Sequence, residues 1–261
     1  MIQSFKHSGN IGDIIYSLPT CISIIKENKL QQFNYYLNIN KETKYLQEHP
    51  LGNVLLNEEY AKFLLPLLQV QPYIKETKIH TDEVIQFDLD NFRKLPMDFT
   101  KGLIVKWTYN LFNGLKVYPL DKPWLFVGKN YEYKDKIIVC RTKRLNSKNI
   151  NYSFMNSYAN NIIFVGIEDE YTIFKEQCPD VKEFVKFDNS LKLAEAINGC
   201  KFVVANQTML FSIAEALKTP RLVEVSPIAP NVIPIGGAGY DAQFQQPFET
   251  YFNKLNNECN I

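Results

Sequence analysis

The C-terminal half of the chain alternates short, largely apolar runs with stretches of helical period. That rhythm restricts it to a parallel sheet flanked by helices. The runs are 137–140 (IIVC), 161–166 (NIIFVG), 201–206 (KFVVAN) and 221–225 (RLVEV). Each is short and rich in Val, Ile or Phe, as strands buried on both faces require. Between them, 168–178 carries Tyr171, Phe174 and Cys178 on one face, and 190–198 carries Leu191, Ala194 and Ile197, with Ser190 as cap and Gly199 beyond the end. The stretch 207–217 also reads as helix, and Pro220 forbids much continuation. Strand and helix in strict alternation imply βαβ units and a doubly wound α/β fold.

The N-terminal half opens with a strand at 2–6, then the glycine-punctuated turn HSGNIGD. Pro19 is placed to open a helix running to about residue 28. Residues 33–39 (FNYYLNI) read as a second strand, 58–70 as a helix disturbed by Pro66, and 84–89 as a strand. Pro119 and Pro123 stiffen 118–130, which suits a connector. The expected organisation is a domain at 1–120, a second at 130–246 and a terminal helix within 247–261.

Charge excludes one broad class. Lys and Arg number 29 against 28 Asp and Glu, a net +1, so bulk electrostatic binding to nucleic acid is not expected. The chain holds five scattered cysteines, three histidines and no C-x-x-C pair, which argues against a zinc site or a disulfide framework. It has no apolar run long enough for an integral membrane segment and no apolar leader at its start. A cytoplasmic protein with free buried thiols is expected, at most peripheral to a membrane face, or in a host cytoplasm if phage-encoded.

Four stretches carry candidate chemistry. In HSGNIGD, Gly9 and Gly12 allow a close backbone approach to a ligand, and Asp13 is the one carboxylate in residues 1–26. Asp13 reads either as a helix-start residue bonding backbone N–H groups or as a catalytic carboxylate. After the 137–140 strand comes CRTKRLNSK; residues 134–148 hold six basic residues against one acidic. Arg141, Thr142, Lys143 and Arg144 there form either a solvated turn or a grip for a pyrophosphate. Asn206, Gln207 and Thr208 end a strand and start a helix, as a simple cap or as a phosphate seat. Glu224 is a charge in an apolar strand and must find partners, a sugar hydroxyl among the candidates. Glu168, just beyond the 161–166 run, is a further candidate site residue. Asp88-Leu-Asp90 spells D-x-D and is read as a surface turn.

Together these pieces resemble a family. GNIGDIIYSLP resembles the Gly-Asp-x-x-x-x-x-Pro opening of the heptosyltransferase-like glycosyltransferases related to ADP-heptose:lipopolysaccharide heptosyltransferases. KFVVANQTMLFSIAEALKTPRLVEVSP is similar to their second hallmark, and RTKRLNSKN to their donor-phosphate loop. Gln207 stands where the family usually has Asp, Met209 where it has Gly and Ser212 where it has His, so heptose specificity is not carried over. The chain looks closest to a shorter branch with Asn-Gln-Ser/Thr at this place.

The resemblance implies the GT-B architecture: two Rossmann-like domains with parallel sheets facing across a cleft, joined by a modest interface that permits hinge closure. It implies an inverting, metal-independent glycosyltransferase with no cofactor beyond a nucleotide-diphosphate sugar as co-substrate. Asp13 becomes the catalytic base. Gly12, Arg141, Thr142, Lys143, Arg144, Glu168, Asn206, Gln207, Thr208 and Glu224 fall on the donor side, and the terminal helix crosses back to the first domain. The expected acceptor is a surface saccharide of lipopolysaccharide type. The alternatives are a hydroxymethylated base of phage DNA as acceptor, a sugar-nucleotide epimerase or hydrolase on the same fold, and a non-catalytic nucleotide-sugar binder.

Overall fold

A computed structural model describes residues 2–45 and 52–259. The first sheet is built from β1 (Gln3–His7), α1 (Ile11–Glu27), β2 (Phe33–Leu37), α2 (Glu58–Gln69), β3 (Ile74–Ile79) and β4 (Phe87–Asp88). Its strands lie in the order β3-β2-β1-β4, all parallel. A short helix, α3 (Ile104–Trp107), precedes the connector. The second sheet takes β5 (Ile137–Cys140), β6 (Ile162–Val165), α4 (Glu168–Gln177), β7 (Glu183–Val185), α5 (Ser190–Gly199), β8 (Phe202–Asn206), α6 (Met209–Leu217), β9 (Arg221–Glu224), β10 (Gly239–Ala242) and α7 (Gln245–Glu258). Its order is β10-β9-β8-β5-β6-β7, again all parallel. Counted within itself, the second sheet runs 3-2-1-4-5-6, and the first sheet has the initial four strands of the same winding. Each sheet therefore reverses its strand order once, beside β1 in one and beside β5 in the other. A crevice opens at the carboxyl ends of the strands at such a reversal.

The buried strands explain why their sequences are continuously apolar. Along β5, Ile138 and Cys140 face one apolar cluster while Ile137 and Val139 face another. β6 and β8 alternate in the same way, as the two-residue period of a strand demands.

One of the two clusters runs without a break from Phe5 and Ile14 in the first half, through Trp124, to Val203 and Phe211 in the second. α1 packs on α6 and α2 on α5. The expected modest, hinge-like interface is thus replaced by a shared core, because the faces of α1 and α6 are apolar over most of their length. The terminal helix departs from expectation as well. Phe248, Phe252 and Leu255 of α7 pack with Tyr152 and Phe202 on the far face of the second sheet, so α7 stays with the second sheet.

The connector is a buried seam. Its Trp124 and Leu125 N–H groups both donate to Ala216 O of α6, at 2.9 and 3.2 Å, and Trp124 O accepts from Tyr73 OH at 2.5 Å. Trp124 itself is fully buried. Its indole also resolves a problem created upstream. Pro19 lies inside α1, which starts at Ile11 and not at Pro19 as expected. A proline there has no N–H for the carbonyl of Ile15, four residues back. Trp124 Nε1 donates to Ile15 O at 3.1 Å and fills the gap.

This arrangement makes a quantitative prediction. Trp124→Phe should lower unfolding free energy by about 1–3 kcal/mol through the orphaned carbonyl, in addition to any packing loss. In a Pro19→Ala background, the restored Ala N–H satisfies Ile15 O, so the same substitution should be milder. Denaturant unfolding of the four proteins of this double-mutant cycle measures the coupling. Strict additivity would contradict the role given to the indole.

Candidate active site

The carboxyl ends of β1, β5, β6 and β8 converge on a cavity of about 330 Å³ between the sheets. α1 presents Ile11, Gly12 and Asp13 to it, and α6 presents Thr208, Met209 and Leu210. Two helix N-termini, each a partial positive charge, thus open into one space. Ile104, Trp107 and Tyr60 supply apolar and aromatic wall, and Arg144, Glu170 and Asn231 supply polar groups.

The α1 end is shaped by tight packing. The N–H of Gly9 donates to His7 Nδ1 at 2.7 Å, and a Cβ at Gly9 would fall 2.3 Å from His7 Cε1 and 2.7 Å from Asp13 Cβ. Glycine is therefore required there for space, and its N–H turns to the histidine, not to the cavity. His7 is fully buried, and burial lowers its pKa to about 3, so the ring is neutral. Gly12 lies against Ser212 of α6, with room for a Cβ at 3.7 Å from Ser212 Oγ. Asn10 does not cap its helix with its side chain; its Oδ1 accepts from Tyr45 OH at 2.7 Å.

Asp13 sits in the first turn of α1 and lines the cavity, its side chain 20% exposed. Arg93 Nη2 donates to Asp13 Oδ2 at 2.9 Å, and the Asn10 N–H also donates to this carboxylate. Both readings of Asp13 are thus compatible with its placement: it bonds the helix start and it faces the cavity. Its pKa is raised above the usual aspartate value, because burial outweighs the pull of Arg93 and of the Asn10 N–H. Asp90, expected in a surface turn, is buried instead. It accepts from Ser8 N–H at 3.1 Å and from the Ser8 hydroxyl, and it pairs with Arg93 at 3.0 Å and Lys41 at 3.3 Å.

On the opposite wall, the basic loop divides by role. Thr142 and Arg144 line the cavity. Arg144 pairs with no carboxylate within 4.0 Å among the described residues, and its guanidinium carbon lies 6.0 Å from the centre of the Tyr45 ring. Lys143 points outward to Asp169 at 3.5 Å and is largely exposed. Arg141 does not reach the cavity. It grips buried Glu224 with two N–H groups, Nε to Oε2 at 2.9 Å and Nη2 to Oε1 at 3.0 Å. Its Nη2 also donates to Ile150 O at 2.9 Å, and its guanidinium covers the Tyr152 ring at 4.4 Å. A fully buried Glu224 at a strand end needs a countercharge, and Arg141 is the cation within reach. The pair fastens the loop to the sheet and leaves neither residue for a ligand.

The remaining expected residues divide in the same way. Asn206 is fully buried and ties the loop down: Oδ1 accepts Thr142 N–H at 3.0 Å, while Nδ2 donates to Arg144 O at 2.6 Å and Thr142 Oγ1 at 3.0 Å. Gln207 reaches the cavity but also braces the loop after β9, donating to Ala229 O and Asn231 Oδ1, each at 2.8 Å, and accepting Ser226 N–H at 2.7 Å. Thr208 caps α6, its hydroxyl accepting Phe211 N–H at 3.2 Å. Glu168 lies outside the cavity, exposed, beside Lys186 at 3.6 Å. Glu170, two residues on, lines the cavity and is buried, and burial pushes its carboxyl pKa up. The sequence offered a signal for it: in the 168–177 helix, Glu170 shares a face with the apolar Phe174, four residues on. Arg93 carried no such signal. Among the described residues no group of three or more His, Cys, Asp or Glu could hold a metal ion.

The Arg141–Glu224 pair predicts where its mutants fail. Glu224→Ala and Arg141→Ala should each destabilise the fold by about 3–5 kcal/mol, because each leaves an uncompensated buried charge. Denaturant unfolding reads this directly. Unchanged stability with weakened ligand binding would return Arg141 to the ligand-binding set.

Comparison with known proteins agrees with this architecture. No family model matches the chain. A glycosyl transferase family 9 protein of Veillonella parvula superposes over 92% of this chain and 84% of its own, with a TM-score of 0.60 and 9% identity. E. coli heptosyltransferase WaaC, solved with ADP-2-deoxy-2-fluoro heptose, superposes over 99% of both chains with a TM-score of 0.56 and 12% identity. A dynein heavy chain-like protein 2 of Plasmodium falciparum is 25% identical over 169 residues, 62% of this chain but only 3% of its own length. So small a share of that protein carries no functional argument. No helix among the described residues is long and apolar enough to cross a membrane. With two parallel Rossmann-like sheets facing one cavity, the chain has the GT-B fold of these glycosyltransferases.

Proposed function

We propose that the chain is an inverting glycosyltransferase that moves a sugar from a nucleotide-diphosphate sugar to a hydroxyl of a lipopolysaccharide-type saccharide. One observation carries this reading. A single cavity collects a carboxylate from the first sheet, Asp13, and from the second a cation with no carboxylate partner among the described residues, Arg144, and a helix N-terminus, Thr208 to Leu210. Base and leaving-group stabiliser thus face each other across the space where a sugar would sit. The fold likeness supports the same class, and the E. coli neighbour was solved with an ADP-sugar analogue.

In this mechanism the acceptor oxygen attacks the anomeric carbon from the face opposite the diphosphate. The new C–O bond forms as the bond from the anomeric carbon to the phosphate oxygen breaks. The acceptor proton passes to Asp13, and the nucleoside diphosphate leaves with its charge stabilised by Arg144 and the first N–H groups of α6. These groups supply the neutralisation that a metal would otherwise give, so no metal is needed. Glu170 follows the second strand of the second sheet, the place where dinucleotide-type sheets put a carboxylate on ribose hydroxyls, and is assigned to the donor ribose. The raised pKa of Asp13 suits this role. A base stabilised only by helix N–H groups would be too weak, whereas burial restores proton affinity.

Two expected outcomes test the reading. Asp13→Asn should retain fold and donor binding but lower transfer by roughly 10²–10⁴. In the native protein, the acid limb of the rate profile should lie above pH 3.8, because burial raises the Asp13 pKa and the carboxylate must be ionised to act. Full activity in a folded Asp13→Asn protein would contradict the assignment. Arg144→Ala should weaken nucleoside-diphosphate binding by about 1.5–3 kcal/mol while leaving nucleoside binding nearly intact. Isothermal titration with the two ligands separates these outcomes. Equal losses would point away from a phosphate contact.

A further inference from the structure

One guanidinium is shared by two carboxylates at the strand-order reversal of the first sheet. Arg93 gives Nη2 to Asp13 Oδ2 at 2.9 Å and Nη1 to Asp90 Oδ1 at 3.0 Å. Its guanidinium lies over the Phe92 ring at 4.4 Å, which limits the planes it can adopt. Asp90 is anchored in turn by the Ser8 N–H, the Ser8 hydroxyl and Lys41, so the far end of the network is fixed to the turn after β1. Only the Asp13 end opens into the cavity.

We propose that Arg93 is the positioning residue of Asp13, holding its carboxylate by one oxygen at the cavity wall so that the remaining lone pairs receive the acceptor proton. Asp90 keeps Arg93 in place. This rests on the reading of Asp13 as the base. A carboxylate offers about four acceptor sites. Arg93 and the Asn10 N–H occupy two of them, which leaves capacity for the acceptor hydroxyl. A single-point grip also orients the group without neutralising it in a bidentate clamp.

The groups facing Asp13 come from every side. They are the Asn10 N–H on its own helix, Arg93 and Asp90 from the turn after β4, Arg144 from the loop after β5, and Tyr45. Arg93 and Arg144 favour the ionised form, and Asp90 and burial oppose it. Removing Arg93 therefore leaves burial and Asp90 less opposed, and Asp13 must titrate at higher pH.

The test uses the full chain with ¹³C-labelled aspartate, following the Asp13 carboxyl by NMR through a pH titration. In Arg93→Met the Asp13 pKa should rise by about 1–3 units. Its kcat should fall about 10²-fold, with a smaller change in acceptor KM, because orientation and not binding is lost. Arg93→Lys should hold the native ionisation yet recover the rate only in part, since one ammonium cannot span both carboxylates. An unshifted Asp13 in folded Arg93→Met would overturn the proposal, and so would an unchanged kcat. If Arg93→Met does not fold, Arg93→Gln, which removes the charge but keeps a side-chain amide, is titrated in its place: the Asp13 pKa should again rise, and no shift would overturn the proposal. The NMR readout does not depend on transfer, so failure of the base assignment in Asp13→Asn is distinguishable from failure here.

Discussion

The relative placement of the two sheets depends on Trp124. Its indole N–H bonds Ile15 O of α1, its backbone N–H bonds Ala216 O of α6, and its backbone carbonyl takes the Tyr73 hydroxyl. One residue of the connector therefore fixes the helix of the first crevice against the helix of the second. The N-termini of α1 and α6 are brought together by that seam, Gly12 against Ser212. The cavity between the sheets follows from this contact. With an apolar core continuous through the seam, wide opening of the cleft would expose buried side chains of both halves. A hinge at residues 118–130 would have to part that shared core.

The seam also sets the electrostatics of the site. Two helix N-termini and Arg144 make one region of the cavity positive, and Asp13 and Glu170 place carboxylates at its borders. A basic loop would tend to collapse onto such carboxylates, but its backbone is held by Asn206 and by the Arg141–Glu224 pair. Among the described residues Arg144 thereby has no carboxylate partner within 4.0 Å, while Arg141, three residues earlier, is fully engaged. The loop's arginines do different work: Arg141 builds the platform and Arg144 lines the cavity.

Much of this was readable in the amino-acid order, and the failures have physical causes. The strands buried on both faces, β5, β6, β8 and β9, stand out as continuous apolar runs. The strands that escaped notice, β3, β7 and β10, are all sheet edges. Edge strands alternate toward solvent and carry charge, as Lys75, Glu76 and Lys78 do in β3, and so lack the apolar signature. Pro19 misplaced the start of α1 because proline favours a first helical turn; the tertiary partner for the freed carbonyl is more than a hundred residues away. Asp13, Thr142, Arg144 and Thr208 line the cavity, as residues that follow a strand at the carboxyl end of an α/β sheet are placed to do. Arg141 and Glu224 satisfied the same rule, yet they pair with each other, and no local pattern distinguishes a buried pair from a ligand contact. Arg93 and Asp90 were invisible as site components because Asp13 and Ser8, which they bind, lie some 80 residues earlier in the chain, 80 for Arg93–Asp13 and 82 for Asp90–Ser8.

The central claim is that one cavity, walled by both sheets, holds the donor with its diphosphate on the second sheet and its sugar toward Asp13. A crystal structure with a bound nucleotide-diphosphate sugar tests it most directly. Phosphate oxygens should lie within hydrogen-bond distance, roughly 2.7–3.2 Å, of the Arg144 guanidinium and the first N–H groups of α6, with the anomeric carbon on the Asp13 side. A nucleotide seated elsewhere on the molecule, or one whose sugar points away from Asp13, would contradict it.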